Sequence, residues 1–130
     1  MKAITRINHI GLRVTSLTKA RTFYEQLGFE FIVGPIGPEP VAIMEHPSGI
    51  NINFILNGSA ATAKNILMDV PEKYTGYTHI ALEINAIDEI LKLLKSKDIK
   101  ITEGPVTFPG GTSIFIRDQD YNVIEFHKPE

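Results

Sequence analysis

The sequence predicts an α+β fold: two tandem βαβββ modules, residues 4–57 and 74–128, forming an open, cup-shaped mixed sheet with helices on the outer face. Three observations predict it. The short runs NHIGLRV and YTHIALEI alternate apolar with polar or small residues, and each precedes a stretch with helical spacing. Glycine and proline punctuate the chain in a similar order after both stretches. The polar residues also keep step between the halves: His9 and His79 lie 70 positions apart (79 − 9), and Asn53 and Glu125 lie 72 apart (125 − 53).

In chain order, Asn8 to Val14 suits a half-buried strand. Ser16 then offers an N-cap oxygen, and Leu17, Ala20, Phe23, Tyr24 and Leu27 recur at helical spacing until Gly28 supplies the left-handed position beyond the helix end. Phe29 to Val33 is expected as a strand, Gly34 to Pro40 as a break, and Val41 to Glu45 and Ile50 to Leu56 as two strands joined around Pro47-Ser48-Gly49. A stretch of polar and small residues from Asn57 to Lys64 and a less patterned segment to Gly76 connect the modules. The order then begins again. Tyr77 to Ile84 is a strand, Asn85 is the expected cap, and Ile87, Ile90, Leu91 and Leu94 form a core-facing helical stripe. Ile99 to Thr102, Ser113 to Arg117 and Asn122 to Phe126 complete the module, with Pro105 to Thr112 as a loop and Asp118 to Asn122 as a hairpin turn.

With 130 residues the chain is one domain's worth of protein and can bury roughly two-thirds of its unfolded surface. The absence of cysteine excludes a disulfide framework, a thiolate zinc site and a cysteine nucleophile. A formal charge of −2 offers no basic field for phosphates, so no nucleic-acid partner is expected. The apolar runs are too short to span a bilayer and the first residues hold no apolar leader core, so a cytoplasmic protein without membrane contact is expected.

Strand alternation places His9 with Gly11 and Arg13 on one face, and His79 with Ala81 and Glu83. On the last strand Val123, Glu125 and His127 oppose Ile124 and Phe126. In the fourth strand Asn51 and Asn53 oppose Ile50, Ile52 and Phe54. Each strand therefore offers an apolar face to its helix and a more polar face to the other side. A lone histidine or glutamate on a strand is usually an exposed or satisfied polar residue. His9, His79 and Glu125, at related places in a repeat, also suit one divalent ion such as Ni²⁺, Zn²⁺, Co²⁺, Mn²⁺ or Fe²⁺, with coordination positions left for substrate. Arg13 shares the face of His9 and suits a substrate carboxylate, with a solvated rim charge as the alternative. His127, near the chain end, is expected to be exposed.

These residues bring a family into view. The segments NHIGLRVTSLTKARTFYEQLGFE, YTHIALEI and EGPVTFPGGTSIFIRDQDYNVIEFH resemble the vicinal oxygen chelate superfamily, which includes glyoxalase I, extradiol dioxygenases and bleomycin-binding proteins, and the likeness runs over nearly the whole chain. The resemblance implies that His9, His79 and Glu125 are metal ligands, with Asn53 at the fourth ligand position, where glyoxalase I has glutamate. It further implies that Arg13 and Asn57 contact substrate and that Thr112 lies in a substrate loop. Asn53 removes a carboxylate from the glyoxalase I pattern, and Tyr121 stands where the family turn normally has glycine.

The resulting expectation is a metalloenzyme acting on a small molecule. It would be a lyase or isomerase of glyoxalase type working through a metal-stabilised enediolate, with Glu125 as the catalytic group and Arg13, Asn53, Asn57 and Thr112 at the substrate. An Fe²⁺ extradiol dioxygenase and a metal-free drug-binding protein are the alternatives. A homodimer is expected from the resemblance and from the sheet edges that a lone copy leaves unpaired.

Overall fold

The computed structural model describes residues 1–59 and 64–130, so residues 60–63 of the expected Asn57 to Lys64 connection lie outside the described residues. The chain forms two compact units, Met1–Ala61 and Thr62–Glu130. Each carries the βαβββ order and its own mixed four-stranded sheet.

In module one, β1 (Ile10–Arg13) leads through α1 (Leu17–Gln26) to β2 (Glu30–Ile36), β3 (Val41–Glu45) and β4 (Asn51–Ile55), in the spatial order β1-β4-β3-β2. The parallel pair β1/β4 sets Gly11 opposite Asn53, and antiparallel β3 sets Ile43 on the other side of Asn53. Ser16 caps α1 as expected, its side chain accepting the Lys19 N–H at 3.3 Å, and Gly28 follows the helix at φ +93°. The helix buries Ala20 and Tyr24. The Tyr24 ring meets Phe54 at 5.1 Å and the edge of Phe29 at 5.6 Å between centroids, which ties the helix to the apolar face of β4. Ala42 and Met44 of β3 and Ile52 and Phe54 of β4 are fully or almost fully buried.

Module two repeats this plan with β5 (His79–Glu83), α2 (Ile87–Ser96), β6 (Ile101–Phe108), β7 (Gly111–Arg117) and β8 (Val123–Pro129), in the order β5-β8-β7-β6. The core beneath α2 is built from Leu94, Ile114, Ile116, Ile124 and Phe126. The N-cap of α2 is Ala86 rather than Asn85 and receives no side-chain bond. Asp88 and Glu89 in its first turn and Lys95 in its last complement the helix dipole instead.

The two glycine-proline stretches depart from expectation in the same way. β2 continues through Gly34–Pro35 to Ile36, and β6 through Gly104–Pro105 to Phe108; both peptide bonds are cis. The pairing shifts register at these places, so the prolines sit at irregularities where a missing N–H costs no regular ladder bond. The expected loop from Pro105 to Thr112 therefore shrinks to a tight turn at Pro109-Gly110. β8 also runs to Pro129, three residues beyond the expected end, because Gly111 and Thr112 pair with Pro129 and Lys128.

Asp118 shapes the β7–β8 turn. Its Oδ1 accepts the N–H groups of Asp120 at 2.8 Å and Asn122 at 3.0 Å. Tyr121, where glycine was expected, adopts φ +65°, so the turn keeps its left-handed residue at the expense of strain. Among the described residues, no helix is long and apolar enough to cross a membrane.

Candidate functional site

Strand register distributes the expected site residues between the modules. In module one, His9 stands one residue before β1, exposed, with Nδ1 2.9 Å from the Asn8 side-chain oxygen. Asn53 is half-buried in β4 between Gly11 and Ile43. Arg13 and Asn57 meet directly, the Nε–H of Arg13 donating to Oδ1 of Asn57 at 2.9 Å. Asn57 in turn donates to Glu39 at 3.1 Å, and Arg13 approaches the same carboxylate at 3.6 Å. This exposed Arg-Asn-Glu group holds the guanidinium at the rim, and solvent limits its contribution to stability.

In module two the polar face of the sheet collects a tighter set. His79 opens β5 opposite Val123, and Glu125 lies in the middle of β8 between Ala81 and Phe115. Alternation sends Ile124 and Phe126 into the core and leaves Glu125 and His127 on the opposite face. The His79 side chain then reaches diagonally, placing Nε2 3.1 Å from Oε1 of Glu125. Its other ring nitrogen is 2.9 Å from the Thr78 hydroxyl, which fixes the ring so that Nε2 faces the carboxylate.

Two residues that the sequence reading left aside belong to this set. Ser113 is fully buried, and its hydroxyl donates to Oε2 of Glu125 at 2.5 Å while lying 2.8 Å from Nδ1 of His127. His127 was expected to be exposed at the chain end. It is instead only 26% exposed, because β8 extends past it and the Phe108 ring stacks on its imidazole at 5.9 Å and 16°. Phe115 closes another side, its ring 6.3 Å from that of His79. A signal for this grouping was present in the sequence: a hairpin centred on Asp120 pairs residues equidistant from it, which sets Ser113 opposite His127 and Phe115 opposite Glu125. Thr112 lies one residue from Ser113 and so projects from the other face of β7, where its hydroxyl is 3.2 Å from that of Thr107.

A second polar group lies at the β7–β8 turn. Arg117 makes a two-pronged bond to Asp69, with both contacts at 2.8 Å, and also donates to the Tyr121 carbonyl at 3.1 Å. The Arg117 hydrogen bonds, followed by the Asn65 backbone N–H, lower the Asp69 carboxyl from its ordinary 3.8 to about 2; the same bonds raise Arg117. Together with the bond from Asn65 to the Tyr121 carbonyl, this pair ties the segment before β5 to the turn.

Part of this donor set fits a divalent ion. Two donors about 2.1 Å from one ion and about 90° apart stand about 3 Å from each other. His79 Nε2 and Glu125 Oε1, at 3.1 Å, meet that spacing, and imidazole with carboxylate is a fitting donor chemistry for a borderline metal. Among the described residues, no group of three or more histidine, cysteine, aspartate or glutamate side chains is arranged to hold a metal ion, so the structure supplies a pair.

Comparison with known proteins adds the following. A family model described as the Glyoxalase/Bleomycin resistance protein/Dioxygenase superfamily matches residues 6–126. A mitochondrial methylmalonyl-CoA epimerase from Bos taurus is 30% identical over 128 residues, covering 88% of this chain and 68% of the relative. Among solved structures, a variant of the fosfomycin resistance protein FosX from Listeria monocytogenes, complexed with Mn(II) and dihydroxypropylphosphonic acid, superposes with a TM-score of 0.72 at 21% identity, covering 98% of this chain and 94% of that one. The antibiotic binding protein TnmS3 from a Streptomyces species gives 0.73 at 19% identity, with 98% of each chain covered. At these identities the structural matches speak for the fold alone.

Proposed function

Since the chain belongs to the Glyoxalase/Bleomycin resistance protein/Dioxygenase superfamily, we propose that it is a metal-dependent lyase or isomerase that removes and returns a proton beside an oxygen-bearing carbon of a small molecule. The observation that carries this reading is the 3.1 Å approach of His79 Nε2 to Glu125 Oε1 on the polar face of module two. These two residues would hold the ion. His9 is proposed as the third ligand because it corresponds to His79 in the repeat, with Asn53 corresponding to Glu125.

When bound, a divalent ion supplies Lewis-acid stabilisation of negative charge on two neighbouring substrate oxygens, the charge an enediolate carries. The chain's own residues supply the rest. Glu125, 12% exposed, would take a proton from substrate carbon and return it. Phe115, beside His79, and Phe108, stacked on His127, would offer an apolar surface to the non-reacting part of the substrate. Arg13, steadied by Asn57, is proposed to bind a substrate carboxylate or other anion. The relation to an epimerase favours proton exchange over ring-opening oxygenation, since epimerisation needs no oxidant.

Elemental analysis of protein purified without chelators tests the reading. Wild type is expected to carry one divalent ion per chain, and H79A, H9A and E125Q to lose most of it. Undiminished metal in H79A and E125Q would overturn the proposal. Activity that survives replacement by Ni²⁺, Co²⁺ or Zn²⁺ supports the isomerase or lyase branch, whereas a strict need for Fe²⁺ and O₂ would transfer the chain to the dioxygenases. Ligand binding that is equally tight after chelation would make it a metal-free binding protein.

A further inference from the structure

We propose that Ser113 is the positioning residue for Glu125: its hydroxyl, oriented by His127, holds Oε2 of the carboxylate so that Oε1 alone is presented on the side of His79. The inference rests on the metal-dependent function proposed above and deepens it.

The hydrogen count fixes the direction of each bond. A serine hydroxyl has one proton, and here it goes to Oε2 of Glu125 at 2.5 Å. The 2.8 Å contact between the same Oγ and His127 Nδ1 must then be donated by an Nδ1–H into the serine oxygen. With an acceptor on one side and a donor on the other, the hydroxyl has one satisfied orientation. Ser113 is fully buried, so water does not compete for either bond. His127 Nδ1 itself lies 3.6 Å from Oε2, beyond hydrogen-bond reach, and its ring is braced against Phe108. Serine is therefore the link between the imidazole and the carboxylate.

The consequence concerns the number of oxygens offered to an ion. A free glutamate carboxylate turns about its last torsion and can present both oxygens. Here Oε2 is taken by Ser113, and Oε1 lies 3.1 Å from His79 Nε2. One-oxygen ligation keeps coordination positions open for the two substrate oxygens that the reaction needs. The strand register makes the arrangement possible: Ser113 stands directly across from His127, two residues along β8 from the Phe115–Glu125 pair and on the same face, so one short side chain reaches both.

The test uses apo wild type, S113A, S113T, H127F and the double variant S113A/H127F, titrated with Mn²⁺ alone and followed by EPR. The same proteins loaded with Co²⁺ are read by visible absorption, whose bands weaken as coordination number rises. S113A and H127F are expected to weaken Mn²⁺ binding roughly tenfold and to weaken the Co²⁺ bands, while S113T, which keeps the hydroxyl, stays within about threefold of wild type. The double variant is expected to bind no more weakly than S113A, because the two residues act as one link. If S113A fails to fold, H127F and S113T decide the matter. Wild-type Mn²⁺ affinity and Co²⁺ bands in S113A or H127F, with the ion lost from E125Q, would overturn the positioning role alone. Wild-type ion binding in E125Q and H79A would overturn the metal reading and this inference with it.

Discussion

Replacing Gly111 by alanine should damage module two far more than the same change at Gly110, and the difference follows from the space around each. Gly111 is buried at φ +148°, and a Cβ there would lie 2.1 Å from the Lys128 carbonyl oxygen and 2.9 Å from Cε1 of His127. Backbone oxygen does not yield as a flexible side chain does, so β8 must move away by about 1 Å or β7 must change its torsion. Left-handed strain costs about 1–3 kcal/mol and forced overpacking a further 1–3 kcal/mol, offset by less than about 1 kcal/mol from a stiffer unfolded chain. The expected loss is about 2–5 kcal/mol, a large share of the stability of a domain this size. Gly110, at φ +104° with nothing within 4 Å of its Cβ, meets the strain alone and should lose about 1–2 kcal/mol. Urea unfolding followed by circular dichroism measures both, and with a slope of about 1–3 kcal/mol per molar the G111A midpoint should fall by roughly 1–3 M. If the modules unfold separately, the shift belongs to the module two transition. The His127 ring should also report the displacement through its NMR shifts. Equal losses in G110A and G111A, or a G111A midpoint within error of wild type, would refute the steric argument.

Two further changes test other parts of the fold. Asp98 occupies the position after α2 that Gly28 fills after α1, with φ +55°, and places a negative charge at a helix C-terminus. D98G should therefore raise stability by about 0.5–1 kcal/mol in thermal melts, and a lowered Tm would count against the strain assigned there. The Asp69–Arg117 pair should give acid-dependent stability. Because the folded carboxyl is lowered from 3.8 to about 2, its contribution is whole above about pH 4 and disappears as pH falls towards 2. With the two side chains 27% and 23% exposed, solvent screening holds this to about 1 kcal/mol. D69N should lack that portion of the acid transition, whereas parallel loss in D69N and wild type between pH 4 and 2 would show that the pair contributes nothing.

The family's architecture was legible because both modules write it locally. Ser16 and Gly28 bracket a helix by cap chemistry, and alternation in NHIGLRV, YTHIALEI and the last strand decides which residues face the core. The same alternation puts His79 and Glu125 on the polar faces of their strands. The glycine-proline stretches differ from the local pattern, because residues that end a strand in isolation are accommodated here as irregularities within paired strands.

By itself, then, the sequence determined the βαβββ repeat, the ends of α1 and the polar faces, since each depends on neighbours within a few residues. Tertiary structure decided that β6 and β7 extend to a tight turn, that His127 lies beneath Phe108, and that the Ser113 hydroxyl, buried, bonds both His127 and Glu125. The last two outcomes depend on ring packing and side-chain bonds between residues 12 (125 − 113) to 19 (127 − 108) apart along the chain. Local periodicity specifies a side chain's face but not its partner on that face.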